Sequence, residues 1–282
     1  MTVAEHLQQA RQRLAGCSDS ARADAELILS HVLQVSRGAL FARDRDAVDD
    51  QSAKQIEHLL QRREGGEPVS YLIGSQGFWT LDLQVSPQVL IPRPETETLV
   101  AWAIELTAGP GDKSLEILDL GTGSGSIALA LASERPDAQV WATDASESVL
   151  EVARCNALRA QLANVNFASG SWFEALGQGA PTSFDLIVSN PPYIAQDDAH
   201  LQALSHEPMS ALVSGADGLD DLRHIVSQAA RYLKPGAYLL LEHGHDQGRA
   251  VRALFSDAGF AEVETRLDFG QRERITAGRR VT

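Results

Sequence analysis

The chain has 282 residues, 44% of them apolar, enough to bury a sizeable core, and its length favours one large domain plus a small one. Its 24 basic residues face 38 acidic ones, a net charge of −14, and neither the first 90 residues nor the remainder is basic. Such a field repels a phosphate backbone, so duplex nucleic acid is disfavoured and no direct nucleic-acid binding is expected.

Residues 2–63 carry helical spacing: Leu7 and Leu14, then Ala25, Ile28, Leu29 and Val32, then Ile56, Leu59 and Leu60, with polar turns between. This pattern predicts three or four short helices in a small bundle. No segment near the start reads as a signal peptide, and the apolar run 127–132 is far too short to span a bilayer. Cys17 and Cys155 form neither a disulfide framework nor a zinc pattern, so a cytoplasmic protein with no membrane partner is expected. Glu64-Gly65-Gly66-Glu67-Pro68 breaks the helical pattern, because two glycines and a proline do not continue a helix. It sets the expected boundary of a helical domain at 1–66. In the expected linker, 67–90, Phe78, Leu81, Leu83 and Val85 alternate with polar residues as a half-buried strand or hairpin would.

From 91 to 282 the pattern changes to strands at 115–120, 139–143, 165–168, 184–189 and 238–241, with helices at 126–134, 147–162, 219–233 and 250–258. Short β-rich runs spaced by amphipathic helices predict an α/β domain, a parallel sheet covered on both faces. The last two strands, 262–267 and 274–277, have no helix between them and predict an antiparallel hairpin at the sheet edge.

Leu118-Asp119-Leu120-Gly121-Thr122-Gly123-Ser124-Gly125 closes the first of those parallel strands and opens a helix. Its glycines fall at every second position, not at the spacing of dinucleotide folds. They let backbone approach a ligand, and the helix start behind them offers free N–H groups to a carboxylate such as that of S-adenosylmethionine. Asp144 ends the next strand, 19 residues after Gly125, where a carboxylate can accept both ribose hydroxyls of an adenosine. The alternative is a plain strand-to-helix turn with Asp144 capping the helix that follows Ser146.

The strand 184–189 is followed by Asn190-Pro191-Pro192-Tyr193, at the end of the sheet where open α/β folds bind ligands. The nitrogen of a carboxamide or exocyclic amine is a poor nucleophile, its lone pair being delocalised. Methyl transfer to it needs alignment and acceptors for its two protons. The Asn190 side-chain oxygen and the Pro191 carbonyl can supply both. The prolines stiffen the segment and keep that carbonyl out of a sheet ladder, and Tyr193 can lie against the planar group. A glutamine or asparagine amide and an adenine amino group fit this pattern equally, and a strand stopped by prolines needs no function at all.

With these motifs in view the chain resembles the protein-glutamine N5-methyltransferases of peptide chain release factors (HemK/PrmC type). The resemblance runs over nearly the full length. It is carried by Glu67-Pro68-Val69-Ser70-Tyr71-Leu72-Ile73-Gly74 with Gly77-Phe78-Trp79, by Ile91-Pro92-Arg93-Pro94-Glu95-Thr96-Glu97, by Asp119 to Gly125, by Ser171-Trp172-Phe173, by Asn190 to Tyr193, and by Leu241-Glu242-His243-Gly244. It implies a class I methyltransferase domain, Rossmann-like with a mostly parallel seven-stranded sheet, behind a helical N-terminal domain that helps hold the protein substrate. The implied reaction moves a methyl group from S-adenosylmethionine to the glutamine of the Gly-Gly-Gln loop in release factors, leaving S-adenosylhomocysteine.

By position, Gly121, Thr122, Gly123, Ser124, Gly125, Asp144, Trp172 and Asn190 correspond to cofactor contacts. Asn190, Pro191, Pro192 and Tyr193 correspond to the catalytic glutamine pocket, with Arg93 and Glu95 flanking it on the substrate side. Pro94 followed by acids is also an ordinary helix start, which leaves Arg93, Glu95 and Glu97 open between function and capping. Where relatives often carry an Asp before the Trp, this chain has Ser171. His243 and His245 lack a third ligand, so no metal is expected, and Arg272, Arg274, Arg279 and Arg280 fit a solvated edge strand.

Overall fold

The computed structural model describes residues 1–108 and 114–281. It divides into two compact units, Met1–Ser75 and Gln76–Thr282. The first is helical: α1 (Val3–Leu14), α2 (Ala21–Leu33), α3 (Arg37–Ala42), α4 (Asp50–Glu64) and α5 (Val69–Ile73). Thr2 and Glu5 close a capping box at the start of α1, and Asp49 caps α4 through the N–H groups of Gln51 and Ser52. Leu7, Leu14, Ile28, Leu29, Leu40, Ile56 and Leu60 form the core, and Leu72 of α5 joins it. The Glu64–Pro68 break therefore ends α4 at Glu64 while the helical unit continues to Ser75. Two acids are buried in α2 and both are paired: Glu26 with Arg11, Arg22 and Arg37, and Asp24 with Arg63.

The second unit opens on a two-stranded sheet of β1 (Ser75–Phe78) and β2 (Leu81–Gln84). A 3-10 turn at Pro94–Thr96 leads into α6 (Glu97–Leu106), and the strands and helices then alternate: β3 (Glu116–Leu120), α7 (Ser126–Glu134), β4 (Gln139–Asp144), α8 (Glu147–Arg159), β5 (Val165–Ser169), β6 (Phe184–Ser189), α9 (Asp220–Ala229), β7 (Leu233–Glu242), α10 (Gly248–Asp257), β8 (Ala261–Leu267) and β9 (Glu273–Arg279). The seven strands run in the order β5-β4-β3-β6-β7-β9-β8. The first five are parallel, and β9 pairs antiparallel with β7 and β8, giving the expected edge hairpin.

Alternation along β3 explains the layers. Ile117 faces one core with Val140, Ala142, Leu186, Val188 and the α6 and α7 side chains Leu99, Trp102 and Leu129. Leu118 and Leu120 face the other, with Ile187, Leu239, Leu241 and the α9 and α10 side chains Leu222, Ile225, Val251 and Phe255. The edge strand β8 carries Glu262, Glu264 and Arg266, charges that discourage pairing with another chain. No described helix is long and apolar enough to cross a membrane.

Candidate functional site

The chain runs from β3 outwards to β5, then returns to lay β6 on the other side of β3, so the crevice between β3 and β6 is the switch point of the sheet. Register decides what emerges there. Leu120 is opposite both Thr143 and Ser189, and Asp144 is opposite Ser169. The next residues to leave the sheet, Gly121, Asn190 and Gly170, therefore come out side by side next to Asp144. Two hydrogen bonds stitch the ends: Ser189 Oγ donates to the Leu120 carbonyl at 2.6 Å, and the Thr122 N–H to the Thr143 carbonyl at 2.8 Å.

A cavity of about 250 Å³ opens over these ends. Gly121, Thr122, Gly123, Ser124, Asp144, Trp172, Asn190, Pro192 and Arg93 all line it. Gly125, Pro191, Tyr193 and Glu95 do not. Gly125 is the left-handed N-cap of α7 (φ 87°), where a Cβ would meet Leu129 at 3.0 Å and Ala153 at 3.3 Å, so its part is to seat the helix under the loop. Gly121 (φ 70°) has the Trp172 ring where a Cβ would be, 3.3 Å away, so the indole lies against the bare glycine backbone.

Two carboxylates serve the loop. Asp144 accepts from the Gly123 N–H and the Ser146 N–H, each at 3.1 Å, while its side chain remains on the cavity wall; burial raises its pKa. Asp119 is fully buried beneath. Its Oδ2 accepts from Thr122 Oγ1 at 2.7 Å and from the Ala128 N–H at 3.2 Å, its Oδ1 has no partner, and burial, with the nearby Asp144 charge adding, pushes its pKa up to about 7.

Asn190 Nδ2 donates to Thr96 Oγ1 at 3.2 Å. Tyr193 is half-buried and turns its hydroxyl to Glu242 Oε1 at 3.4 Å, while its carbonyl accepts from Gln247 Nε2 at 2.9 Å. Burial and the Glu242 charge raise its pKa, so the phenol stays neutral. Glu242, 1% exposed at the end of β7, is pushed up to about 7 by burial. Glu97 accepts from the Trp79 N–H at 2.9 Å, which ties the turn between β1 and β2 to the start of α6. Buried His243 spends both ring nitrogens, on the Gly244 carbonyl and on Thr276 Oγ1 at 2.8 Å each, and no cluster of three or more potential metal ligands exists among the described residues.

Several wall residues were not predicted. Beyond Tyr193, residues 194–218 run as an irregular segment in which buried Glu207 accepts from the Ile91 N–H at 3.2 Å and from Arg93. That grip brings Pro208, Ser210 and Ala211 to the cavity wall. Gln88, Thr96, Val149, Gly170 and Asp221 line it too. Only Thr96, inside the Arg93 motif, carried any signal in the sequence.

A mostly parallel seven-stranded sheet with an antiparallel edge hairpin, a glycine loop after its central strand and an acid at the end of the next define a class I methyltransferase. The chain is 48% identical over 265 residues to the release factor glutamine methyltransferase of Salmonella typhimurium, covering 93% of each, and 42% identical to that of Coxiella burnetii over 99% of each. It belongs to the release factor glutamine methyltransferase family. Residues 5–74 match the PrmC N-terminal domain and residues 111–267 a methyltransferase domain. A methyltransferase from Pyrococcus furiosus shares the fold, with TM-score 0.55 at 18% identity over 79% of this chain and 100% of that one.

Proposed function

We propose that this chain methylates the side-chain nitrogen N5 of the glutamine in the Gly-Gly-Gln segment of peptide chain release factors, with S-adenosylmethionine as donor and S-adenosylhomocysteine as product. One observation carries the reading: Asn190 and Pro192 share a single cavity with Gly121–Ser124, Asp144 and Trp172. A flat NH2 group and a nucleoside donor would thus meet in one enclosure. Family membership supports the release factor as the protein substrate.

The wall residues fit the donor. The bare backbone of Gly121 and Gly123 leaves room for close approach, Asp144 keeps acceptor capacity toward the cavity for the ribose hydroxyls, and the Trp172 ring offers an apolar face to the adenine. Ser171, also on the wall, offers a hydroxyl where relatives often carry a carboxylate. When bound, S-adenosylmethionine supplies an electrophilic methyl group on a positively charged sulfur.

The protein's own part is positioning. With Nδ2 tied to Thr96, Asn190 has its Oδ1 free to accept one N–H of the substrate amide, and the other N–H is assigned to the Pro191 carbonyl, although Pro191 does not itself line the cavity. Each acceptor stabilises the partial positive charge that grows on nitrogen as it attacks. The Tyr193 hydroxyl donates to Glu242 at 3.4 Å, which anchors the segment, and as a neutral phenol Tyr193 is no base for the reacting nitrogen. Holding the amide in line with the methyl group supplies much of the remaining rate.

In the same reading the helical unit, Met1–Ser75, recognises the release factor, and Gln76–Thr282 carries the chemistry in the cytoplasm. Incubation with a release factor and methyl-labelled S-adenosylmethionine tests it. Label transfer that disappears when the Gly-Gly-Gln glutamine is replaced is expected; labelling of adenine in nucleic acid, with the release factor unlabelled, overturns it.

A further inference from the structure

A stretch of irregular chain that forms part of a cavity wall has to be held there, and the strap 195–211 has few means of being held. Of its residues, all of them described, Glu207 alone is buried. None of its side chains joins the two apolar cores that cover the sheet. Its backbone hydrogen bonds stay within 195–215, and among the described residues the only side-chain hydrogen bonds that leave it are those of Glu207.

Those bonds straddle Pro92. Glu207 Oε2 accepts from the Ile91 N–H at 3.2 Å, and Oε1 pairs with the Arg93 guanidinium. The Glu207 side chain is 3% exposed, so water offers the carboxylate no substitute for either partner. Pro92 and Arg93 line the cavity, and so do Pro208, Ser210 and Ala211, which follow Glu207 directly. An apolar anchor would rest on any apolar surface. A carboxylate gripped by a backbone N–H and a cation holds only where both lie, which fixes the strap's register against 91–93.

We infer that Glu207 is the positioning residue that seats 195–211 as the acceptor-side wall of the cavity, an inference that rests on the function proposed above. The strap leaves β6 by way of Asn190–Tyr193, the segment that reading gives to the substrate amide. The donor's contacts come from elsewhere: the glycine loop follows β3, Asp144 ends β4 and Trp172 follows β5. No hydrogen bond joins the strap to any of them among the described residues. Loosening the strap should therefore be felt by the release factor and not by the nucleoside. Glu207 does this through Ile91 and Arg93, without lining the cavity itself.

The test uses the full chain. Glu207→Ala removes both bonds, whereas Glu207→Gln keeps an oxygen for the Ile91 N–H and loses the ion pair. The first readout needs no substrate: chymotrypsin acting on the folded protein, with cleavage after Leu201 and Leu204 of the strap followed by mass spectrometry. In Glu207→Ala we expect these two sites to be cut at least about tenfold faster, with sites elsewhere cut at the wild-type rate. The second is methylation of a release factor. The KM for the release factor should rise at least about tenfold while the Kd for S-adenosylhomocysteine, read by calorimetry, stays within about twofold. Glu207→Gln should fall between wild type and Glu207→Ala in both.

Strap cleavage at the wild-type rate in Glu207→Ala overturns the inference, as does faster cleavage spread over the whole chain. An unchanged KM, or a loss of S-adenosylhomocysteine affinity in step with it, does the same. Should Glu207→Ala fail to fold, Glu207→Gln carries the same measurements, and a wild-type result there is equally fatal. A wild-type chain that labels no release factor refutes the proposed function instead, and the cleavage rates still decide whether Glu207 seats the strap.

Discussion

Asp119 offers a test that reads the electrostatics of the glycine loop without any ligand. Its carboxyl is fully buried under the loop with one oxygen unpartnered and a pKa near 7. A carboxyl raised in the folded state binds a proton that the unfolded chain has released, so its stabilising effect is complete below about pH 4 and is lost as pH climbs to about 7. Asp119→Asn removes that titration and keeps the shape. From about pH 5 to pH 8.5 the wild type passes through two units of this loss, roughly 3 kcal/mol at 1.4 kcal/mol per unit. The variant does not. The fixed cost of placing an amide there, about 1–3 kcal/mol for its buried donor, is the same at both pH values and cancels, as does Glu242, present in both proteins.

The stability of Asp119→Asn relative to wild type should therefore rise by roughly 3 kcal/mol between the two pH values, or about 6–12 °C in midpoint for a domain of this size. All four tryptophans lie in Gln76–Thr282, so urea unfolding followed by indole fluorescence reports that unit alone. A difference that stays constant with pH refutes the buried, protonatable carboxyl.

Three further outcomes follow from the site. Asn190→Ala should keep the Kd for S-adenosylhomocysteine and lower turnover by roughly 10²–10³-fold, since it deletes an acceptor used by the reacting nitrogen; unchanged turnover removes Asn190 from the mechanism. Trp172→Ala should weaken S-adenosylhomocysteine binding by about 1–3 kcal/mol, the worth of one stacked base, as read by calorimetry; an unchanged Kd puts the indole off the adenine. Arg93→Ala leaves the 3% exposed Glu207 side chain without its cation and should cost about 1–3 kcal/mol, discounted because Arg93 is itself 34% exposed, and Arg93→Ala with Glu207→Gln should recover part of it in the same urea titration.

How much of this site a reader of the sequence can see depends on where each residue's partner lies. The glycine loop, Asp144 and Asn190 were legible because each follows a short apolar strand, and strand ends are marked locally by a change of composition. The helix at Ser126–Glu134 and the strand at Phe184–Ser189 have the boundaries their periodicity predicts, while β7 begins at Leu233, well before the predicted 238. Its early half contains Lys234-Pro235-Gly236, which reads as a turn, yet the register shift between Phe184 and Leu186 lets β6 pair across it.

What was not legible is the shell behind the motifs. Thr96 meets Asn190 across 94 positions and Ile91 meets Glu207 across 116, distances over which no local pattern carries information. Such residues show themselves only as polar groups out of place: a glutamate closing an otherwise apolar strand at 242, and another buried in an irregular segment at 207. A buried acid that the core does not need has to be held by something, and here what holds it lies directly behind the cavity wall. The acids at 207 and 242 each hold a residue beside the cavity, Arg93 and Tyr193, although neither acid lines the cavity itself.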